Sequence, residues 1–182
     1  MSQISGGELP NRPRRLLLLR HAKSAWPDGV PDHERPLAER GEKAAPAMGA
    51  FMAREHLVPD LVLVSDARRT LQTWDLVRQA LPGEIETRVS PQIYEATASA
   101  LLDTIRAVGD RPSTLLMIGH NPGLQDLALM LVGEGDAKAR DALAEKYPTA
   151  AIVVIDFAVT DWGQVEPGSG VLARFVTPRS LR

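Results

Sequence analysis

A run of four leucines that ends in a charged pair constrains this chain more than any other feature. Residues 16–19 are all leucine, and Arg20 and His21 follow them at once. Four apolar residues are too few to cross a membrane, but they suit a short strand that is buried on both faces. Ligands of open α/β sheets bind beyond the carboxyl ends of the strands. The pattern therefore indicates a cation and an imidazole at a ligand-binding edge, unless the strand simply ends in polar residues.

Length and composition favour a single cytoplasmic domain. Residues 1–15 are polar and rich in Gly, Pro and Arg, which is typical of a disordered arm, so we expect one domain over residues 16–182. The leucine run is too short for a signal peptide, and no small-residue cleavage site follows it. A net charge of −2 gives no general attraction to nucleic acid or to an anionic membrane, so neither is an expected partner. The chain has no cysteine, which excludes a cysteine nucleophile and any thiolate metal site.

Apolar runs and amphipathic stripes alternate along the chain. Buried strands are predicted at residues 16–19, 61–64 and 115–118, a weaker strand at 85–89, and helices near residues 39–55, 67–81, 101–108 and 122–131. Two final strands near residues 150–157 and 171–176 are expected to pair antiparallel, because a turn-forming segment joins them. The alternation predicts an α/β fold, a three-layer α/β/α sandwich around a mostly parallel central sheet.

Two prolines affect where the predicted helices begin. Pro46 would cost a backbone hydrogen bond inside the first helix, so we expect that helix to start later or to kink. Asn121 is a natural N-cap and Pro122 suits the first helical position, so the helix after the fourth strand is expected to begin there.

Functional side chains follow three of the apolar strands. Arg20 and His21 end the first, Arg68 and Arg69 come just after the second, and His120 follows the fourth. If these strands are parallel, their ends lie on one edge of the sheet. Helices whose N-termini lie near the same edge favour negative charge there. Two arginines, two histidines and helix N-termini on one edge predict a phosphate site.

The same residues resemble the signatures of the histidine phosphatase superfamily. The matching segments are Leu19-Arg20-His21-Ala22, Ser65-x-x-x-Arg69-x-x-Gln72-Thr73 and Gly119-His120-Asn121-Pro122. Within that superfamily the chain is most similar to the small SixA-type phosphohistidine phosphatases. Further matches are the Asp32-His33-x-Arg35-Pro36-Leu37 segment with the following Gly41, Ile93-Tyr94-Glu95-Ala96, and the ending from Gly168-Ser169-Gly170 to Thr177-Pro178-Arg179. The resemblance implies a phosphoglycerate mutase-like fold and a phosphatase.

The resemblance also implies a role for each core residue. His21 would be the nucleophile that becomes phosphohistidine, while Arg20, Arg69 and His120 would bind the phosphoryl oxygens. His21 must then be neutral at the attacking nitrogen, with its other nitrogen held by an acceptor, and His120 should be a cation or a donor. Cationic side chains replace a metal ion, so neither a metal nor another cofactor is implied. Arg35 and Asn121 are further candidate phosphate ligands, although Arg35 equally suits a salt bridge with Asp32 or Glu34.

Some positions depart from the superfamily pattern. Ala22 replaces the commoner glycine, and Asp66 stands where many members have proline. Asp66 places a negative charge near the predicted anion site, and Arg68 is expected to offset it. No general acid is obvious, and Glu95 is the nearest candidate, although a solvated helix-start glutamate would look the same. Arg20 and His21 raise a geometric difficulty, because neighbours on a strand point to opposite faces.

The absence of an obvious general acid indicates the class of substrate. An alkoxide leaving group needs a proton donor, whereas free imidazole has a pKa of about 6.5 and takes a proton from solvent. We therefore expect a phosphorylated partner, with phosphohistidine on a protein favoured over sugar phosphates. The alternatives are a small-molecule phosphomonoesterase or mutase of the same superfamily, a non-catalytic phosphate-binding module, and a metal hydrolase that uses His21 and His120. The other histidines, His33 and His56, are interpreted as loop and helix-end residues.

Overall fold

The structure, a computed structural model, describes residues 13–182. The strands are β1 (Arg14–Arg20), β2 (Leu61–Val64), β3 (Glu86–Val89), β4 (Thr114–Gly119), β5 (Val132–Gly135), β6 (Ile152–Phe157) and β7 (Gly170–Val176). The helices are α1 (Glu39–Arg54), α2 (Arg68–Val77), α3 (Ala98–Arg106), α4 (Gly123–Leu131) and α5 (Ala137–Glu145). No helix within residues 13–182 is both long enough and apolar enough to span a membrane.

The seven strands form one mixed sheet in the order β3-β2-β4-β1-β6-β7-β5. Strands β1, β2, β3 and β4 are parallel to their neighbours within this group. Strand β6 runs antiparallel to both β1 and β7, while β5 pairs parallel with β7. The predicted α/β fold with a mostly parallel sheet and antiparallel final strands is therefore confirmed.

The leucine run places β1 at the centre of the molecule. All four leucines of residues 16–19 are fully buried. Leu16 and Leu18 pack in the core that α3, α4 and α5 cover, whereas Leu17 and Leu19 pack in the core under α1 and α2. Because successive strand residues point to opposite faces, one uninterrupted apolar run serves both layers. The strand end that carries Arg20 is consequently anchored from two sides.

Several predicted boundaries differ from the structure. Most of the predicted arm, residues 1–12, lies outside the described residues, but Arg14 and Arg15 already belong to β1. Arg15 is ordered there because its guanidinium pairs with Asp156 of β6 at 2.7 Å. Helix α1 begins at the predicted Glu39 and continues through Pro46, so the later start, one of the two effects expected of this proline, does not occur.

The predicted cap of α4 is also wrong. The helix begins at Gly123, after a cis peptide bond between Asn121 and Pro122. The Asn121 side chain caps no helix and instead donates to the backbone carbonyl of Tyr147, at 3.2 Å. The sequence analysis also missed β5 and α5, because the Val132–Gly135 strand contains two glycines and little apolar surface.

Candidate active site

The ends of β1 and β4 and the start of α2 meet at one cavity. Arg20 is the last residue of β1 and His21 is the next, while His120 directly follows β4 and Arg69 lies in the first turn of α2. All four side chains line a cavity of about 620 Å³. The other predicted site residues, which are Arg35, Glu95 and Asn121, line the same cavity.

The chain leaves strand geometry immediately after Arg20, which resolves the difficulty of two neighbouring ligands. The backbone N–H of Ala150 donates to the carbonyls of both Arg20 and His21, at 3.1 and 3.0 Å. The N–H of Ala22 then donates to the Thr73 hydroxyl of α2, at 3.0 Å, rather than to a neighbouring strand. This bend allows two adjacent side chains to face one cavity.

The hydrogen bonding of His21 fixes which of its ring nitrogens carries the proton. Its Nδ1 lies 2.8 Å from the carbonyl oxygen of Ala22. Because a carbonyl only accepts, we assign the proton to Nδ1, which leaves the lone pair on Nε2. Burial, followed by the charges of His120 and Arg69, lowers the pKa of His21 to about 3. At neutral pH the imidazole is therefore uncharged, with a lone pair on Nε2.

Two guanidinium groups, the buried one of Arg69 and the half-buried one of Arg20, supply positive charge. Arg20 donates to the carbonyl of Tyr147 at 2.9 Å, and burial lowers the pKa of its guanidinium. Arg69 is 5% exposed and donates to the carbonyl and the carboxylate of Asp32, at 2.8 and 3.2 Å. The Nε–H groups of both arginines have no acceptor among the described residues. A buried cation with unused donors is costly unless an anion shares the site, so the pair suits a phosphoryl group.

His120 stands next to His21, with 5.3 Å between the two ring centroids. Its Nε2 lies 2.7 Å from the hydroxyl of the buried Ser65. Burial and the charge of Arg69 lower the pKa of His120 to about 4, so the ring is neutral at pH 7. Of the two predicted alternatives, the lowered pKa favours a neutral hydrogen-bond donor over a cation before an anion binds.

Asp32 links three side chains of the cavity, a role that the sequence analysis missed. Its carboxylate accepts from Arg35 at 3.0 Å, from Arg69, and from the hydroxyl of Tyr94. The Tyr94 hydrogen bond, with the charges of Arg69 and Arg35, keeps the pKa of Asp32 below its usual value. The only sequence signal was the Asp32–Arg35 spacing, which predicted an ion pair. Arg35 does form that pair, while Glu34 contacts His33 instead.

The Asp66 carboxylate contacts His33 rather than Arg68. The Nε2 of His33 lies 2.9 Å from this carboxylate. Asp66, together with Glu34, raises the pKa of His33. The ring also packs edge-on against Tyr94, with 4.8 Å between centroids. The expected role of Arg68 is therefore corrected, and His33 is more than a free loop residue.

Glu95 remains at the rim of the cavity. Its carboxylate is exposed, and its backbone has the left-handed φ of 54°, which non-glycine residues adopt rarely. Among the described residues, no group of three His, Cys, Asp or Glu side chains is arranged to hold a metal ion.

Comparison with known proteins identifies the family. The family profile described as the histidine phosphatase superfamily, branch 1, matches residues 16–111. The chain belongs to this superfamily. A protein of Mycobacterium tuberculosis, Rv1276c, is 38% identical over 163 residues, which are 88% of this chain and 100% of that protein. A chloroplastic protein of Arabidopsis thaliana, At3g52155, is 36% identical over 130 residues, covering 66% of this chain and 60% of its own length.

Solved structures of the superfamily agree with this assignment. A candidate phosphohistidine phosphatase SixA from Nakamurella multipartitia is 27% identical, with a TM-score of 0.80 over 91% of this chain and 96% of that chain. Another candidate SixA, from Agrobacterium tumefaciens, is 29% identical, with a TM-score of 0.77 over 91% of this chain and 99% of that one. This histidine phosphatase is thus an enzyme that acts on phosphorylated substrates.

Proposed function

We propose that this phosphatase works without a metal ion, through a phosphohistidine on Nε2 of His21, and that its substrate is phosphohistidine on a protein. The observation that carries the proposal is the hydrogen bond from Nδ1 of His21 to Ala22, which leaves an uncharged lone pair on Nε2 in a cavity that Arg20 and Arg69 also line. The resemblance to candidate SixA structures supports the same substrate.

The first step transfers the phosphoryl group to the enzyme. Nε2 of His21 forms a bond to phosphorus while the P–N bond of the substrate breaks. The bonding pair leaves with the imidazole of the substrate, which departs neutral because its other ring nitrogen has taken a proton from solvent. Because phosphoryl transfer has a loose transition state, catalysis depends on positioning and charge stabilisation. Arg20, Arg69 and a donor N–H of His120 would stabilise the three equatorial oxygens.

The second step releases phosphate. A water molecule attacks phosphorus, the bond between phosphorus and His21 breaks, and inorganic phosphate leaves while the lone pair returns to Nε2. The proton of the attacking water passes to the departing phosphate or to solvent. The hydrogen bond to Ala22 keeps the proton on Nδ1 throughout, so the nucleophile is restored in its reactive tautomer.

The carboxylates of the cavity determine whether the protein can donate a proton to the leaving group. Asp32 is engaged by Arg35, Arg69 and Tyr94, and its lowered pKa makes it a poor acid. Glu95 lies exposed at the rim and remains the candidate acid. An imidazole leaving group needs no protein acid at neutral pH, whereas an alkoxide does. The site therefore favours phosphohistidine over sugar phosphates.

A substrate panel tests this proposal. We expect a phosphohistidine peptide to be hydrolysed with higher kcat/KM than glucose 6-phosphate or phosphoserine, and EDTA to have no effect. A preference for the esters would refute the substrate, and loss of turnover in EDTA would refute the metal-independent mechanism.

Rapid quenching tests the intermediate. An acid-labile phosphoenzyme should form in the wild type and be absent in His21→Ala, which should have no turnover. Removal of a preorganised donor in Arg69→Ala or His120→Ala should lower kcat about 10²–10³-fold. If His21→Ala kept a phosphoenzyme, the nucleophile would be another residue.

A further inference from the structure

Trp26 is a large apolar side chain exposed at the mouth of the catalytic cavity. It is 74% exposed, whereas Trp74 and Trp162 are 4% and 0% exposed. It lines the same cavity as His21 but has no part in the phosphoryl transfer described above. A solvent-exposed indole beside an active site is a typical anchor for a binding partner.

The indole is held in place on one side only. The guanidinium carbon of Arg35 lies 3.4 Å from the centroid of a Trp26 ring, and Arg35 is itself 6% exposed and paired with Asp32 at 3.0 Å. The neighbouring Ala25 is fixed by a backbone hydrogen bond to the carbonyl of Pro36, at 2.8 Å. Such a rigid aromatic surface loses little conformational entropy when it binds a ligand.

The charges around the outer cavity indicate what binds there. The exposed charged side chains that line the cavity are Lys23, Asp32, Glu95 and Asp126, which carry more negative than positive charge. A nucleotide with several phosphates would need further cations at these positions. A polypeptide with a single phosphorylated side chain needs none, and a cavity of about 620 Å³ has room for more than a phosphorylated imidazole.

We propose that the open face of Trp26 binds an apolar side chain adjacent to the phosphorylated histidine of a protein substrate. The inference rests on the proposed function and adds a sequence preference to it. Trp26 is then a specificity-determining residue, and Arg35 stabilises the indole by packing on its other face.

Kinetics with three substrates test the inference. The probes are a phosphohistidine peptide with leucine at both flanking positions, the same peptide with glycine there, and phosphoramidate. We expect the wild type to prefer the leucine peptide. Trp26→Ala should lower this preference about ten-fold, mainly through KM, because an aromatic contact of this kind contributes about that factor. Trp26→Phe should keep most of it, and Leu129→Ala, which alters an exposed apolar residue on α4, is the matched control.

Fluorescence provides an independent measurement. Because Trp74 and Trp162 are buried, quenching by acrylamide reports mainly on Trp26. In His21→Ala, the leucine peptide should protect Trp26 from acrylamide and shift its emission to shorter wavelength, whereas phosphoramidate should not.

The experiments distinguish a failure of the inference about Trp26 from a failure of the proposed function. Hydrolysis of phosphoramidate or esters without hydrolysis of either peptide would remove the proposed substrate class itself. If both peptides are hydrolysed but Trp26→Ala retains the wild-type preference, or if the leucine peptide leaves Trp26 unprotected, only the inference about Trp26 is overturned. Equal dependence of phosphoramidate and the leucine peptide on Trp26 would show that Trp26 contacts no flanking side chain and would also overturn it.

Discussion

Asp32 makes hydrogen bonds and ion pairs with several side chains of the cavity. Both terminal nitrogens of Arg69 donate to this residue, one to its carbonyl and one to its carboxylate. Tyr94 and Arg35 donate to the same carboxylate, so the orientation of the buried Arg69 guanidinium depends on a four-residue network. We infer that Asp32 is a positioning residue for Arg69.

Asp32→Asn should impair catalysis more than folding. The amide has one oxygen acceptor where the carboxylate has two, and its NH₂ group would face guanidinium donors, so Arg69 should shift. A misplacement of about 1 Å lowers a rate about 10²-fold, and we expect kcat/KM for the phosphohistidine peptide to fall by that order. Asp28→Asn, in the exposed part of the same loop, is the control. A normal kcat/KM in Asp32→Asn would show that Arg69 is oriented by other contacts.

The sequence predicted the reacting residues of the cavity better than their supports. Arg20 ends β1, and His21 and His120 directly follow β1 and β4, so their common location followed from a parallel sheet. The contact between Asp32 and Tyr94 joins residues 62 positions apart, on loops that no hydrophobic period describes. Loop conformation depends on the assembled fold, so the network around Asp32 was not predictable.

At the level of elements, strands and helices with a strong apolar pattern were predicted within a few residues. Strand β2 has the predicted bounds of 61–64, and α1 begins at the predicted Glu39. Failures occurred where local preference competes with tertiary contacts. Asn121 is an excellent N-cap by type, but its amide bonds to the Tyr147 carbonyl, which also accepts from Arg20. The hydrogen bond from Asn121 therefore depends on a residue 26 positions away in the sequence.

The first turn of α1 packs tightly against the loop that follows His21. A Cβ atom added to Gly41 would lie 2.1 Å from the carbonyl oxygen of Lys23, much closer than any normal contact. The same carbonyl accepts from the N–H of Ala38 at 2.9 Å, so it cannot move without breaking that bond. Gly41 is therefore required by the approach of two backbones.

Gly41→Ala should destabilise the protein and reduce its activity. Alanine favours a helix over glycine by about 1 kcal/mol, but overpacking against backbone costs about 1–3 kcal/mol and displaces the chain beside the nucleophile. We expect a lower urea midpoint together with a lower kcat. Glu42→Ala, at an exposed position of the same turn, is the comparison. A Gly41→Ala enzyme with higher stability and full activity would show that the two backbones separate easily.

The free energy of unfolding of the whole molecule depends on pH through His21 and His120, which follow β1 and β4. Burial holds the pKa of His21 at about 3 and that of His120 at about 4. In the unfolded chain both return to about 6.5. Below pH 6.5 the unfolded state therefore binds protons that the folded state does not, and the free energy of unfolding falls as the pH is lowered. The contribution is complete above pH 6.5 and is lost toward the folded pKa values.

The pH dependence of unfolding should therefore become weaker when one of these histidines is replaced. Between pH 6.5 and pH 5, His21 alone should remove about 2 kcal/mol from the free energy of unfolding, since each pKa unit corresponds to about 1.4 kcal/mol. Urea unfolding at the two pH values should show a smaller fall in His21→Asn than in the wild type, whatever the absolute stability of the variant. His56→Asn is the matched control, because His56 is exposed and asparagine tolerates its left-handed φ of 56°. An unchanged fall in His21→Asn would mean that His21 takes up a proton in the folded protein, and a protonated His21 has no lone pair on Nε2 with which to attack phosphorus.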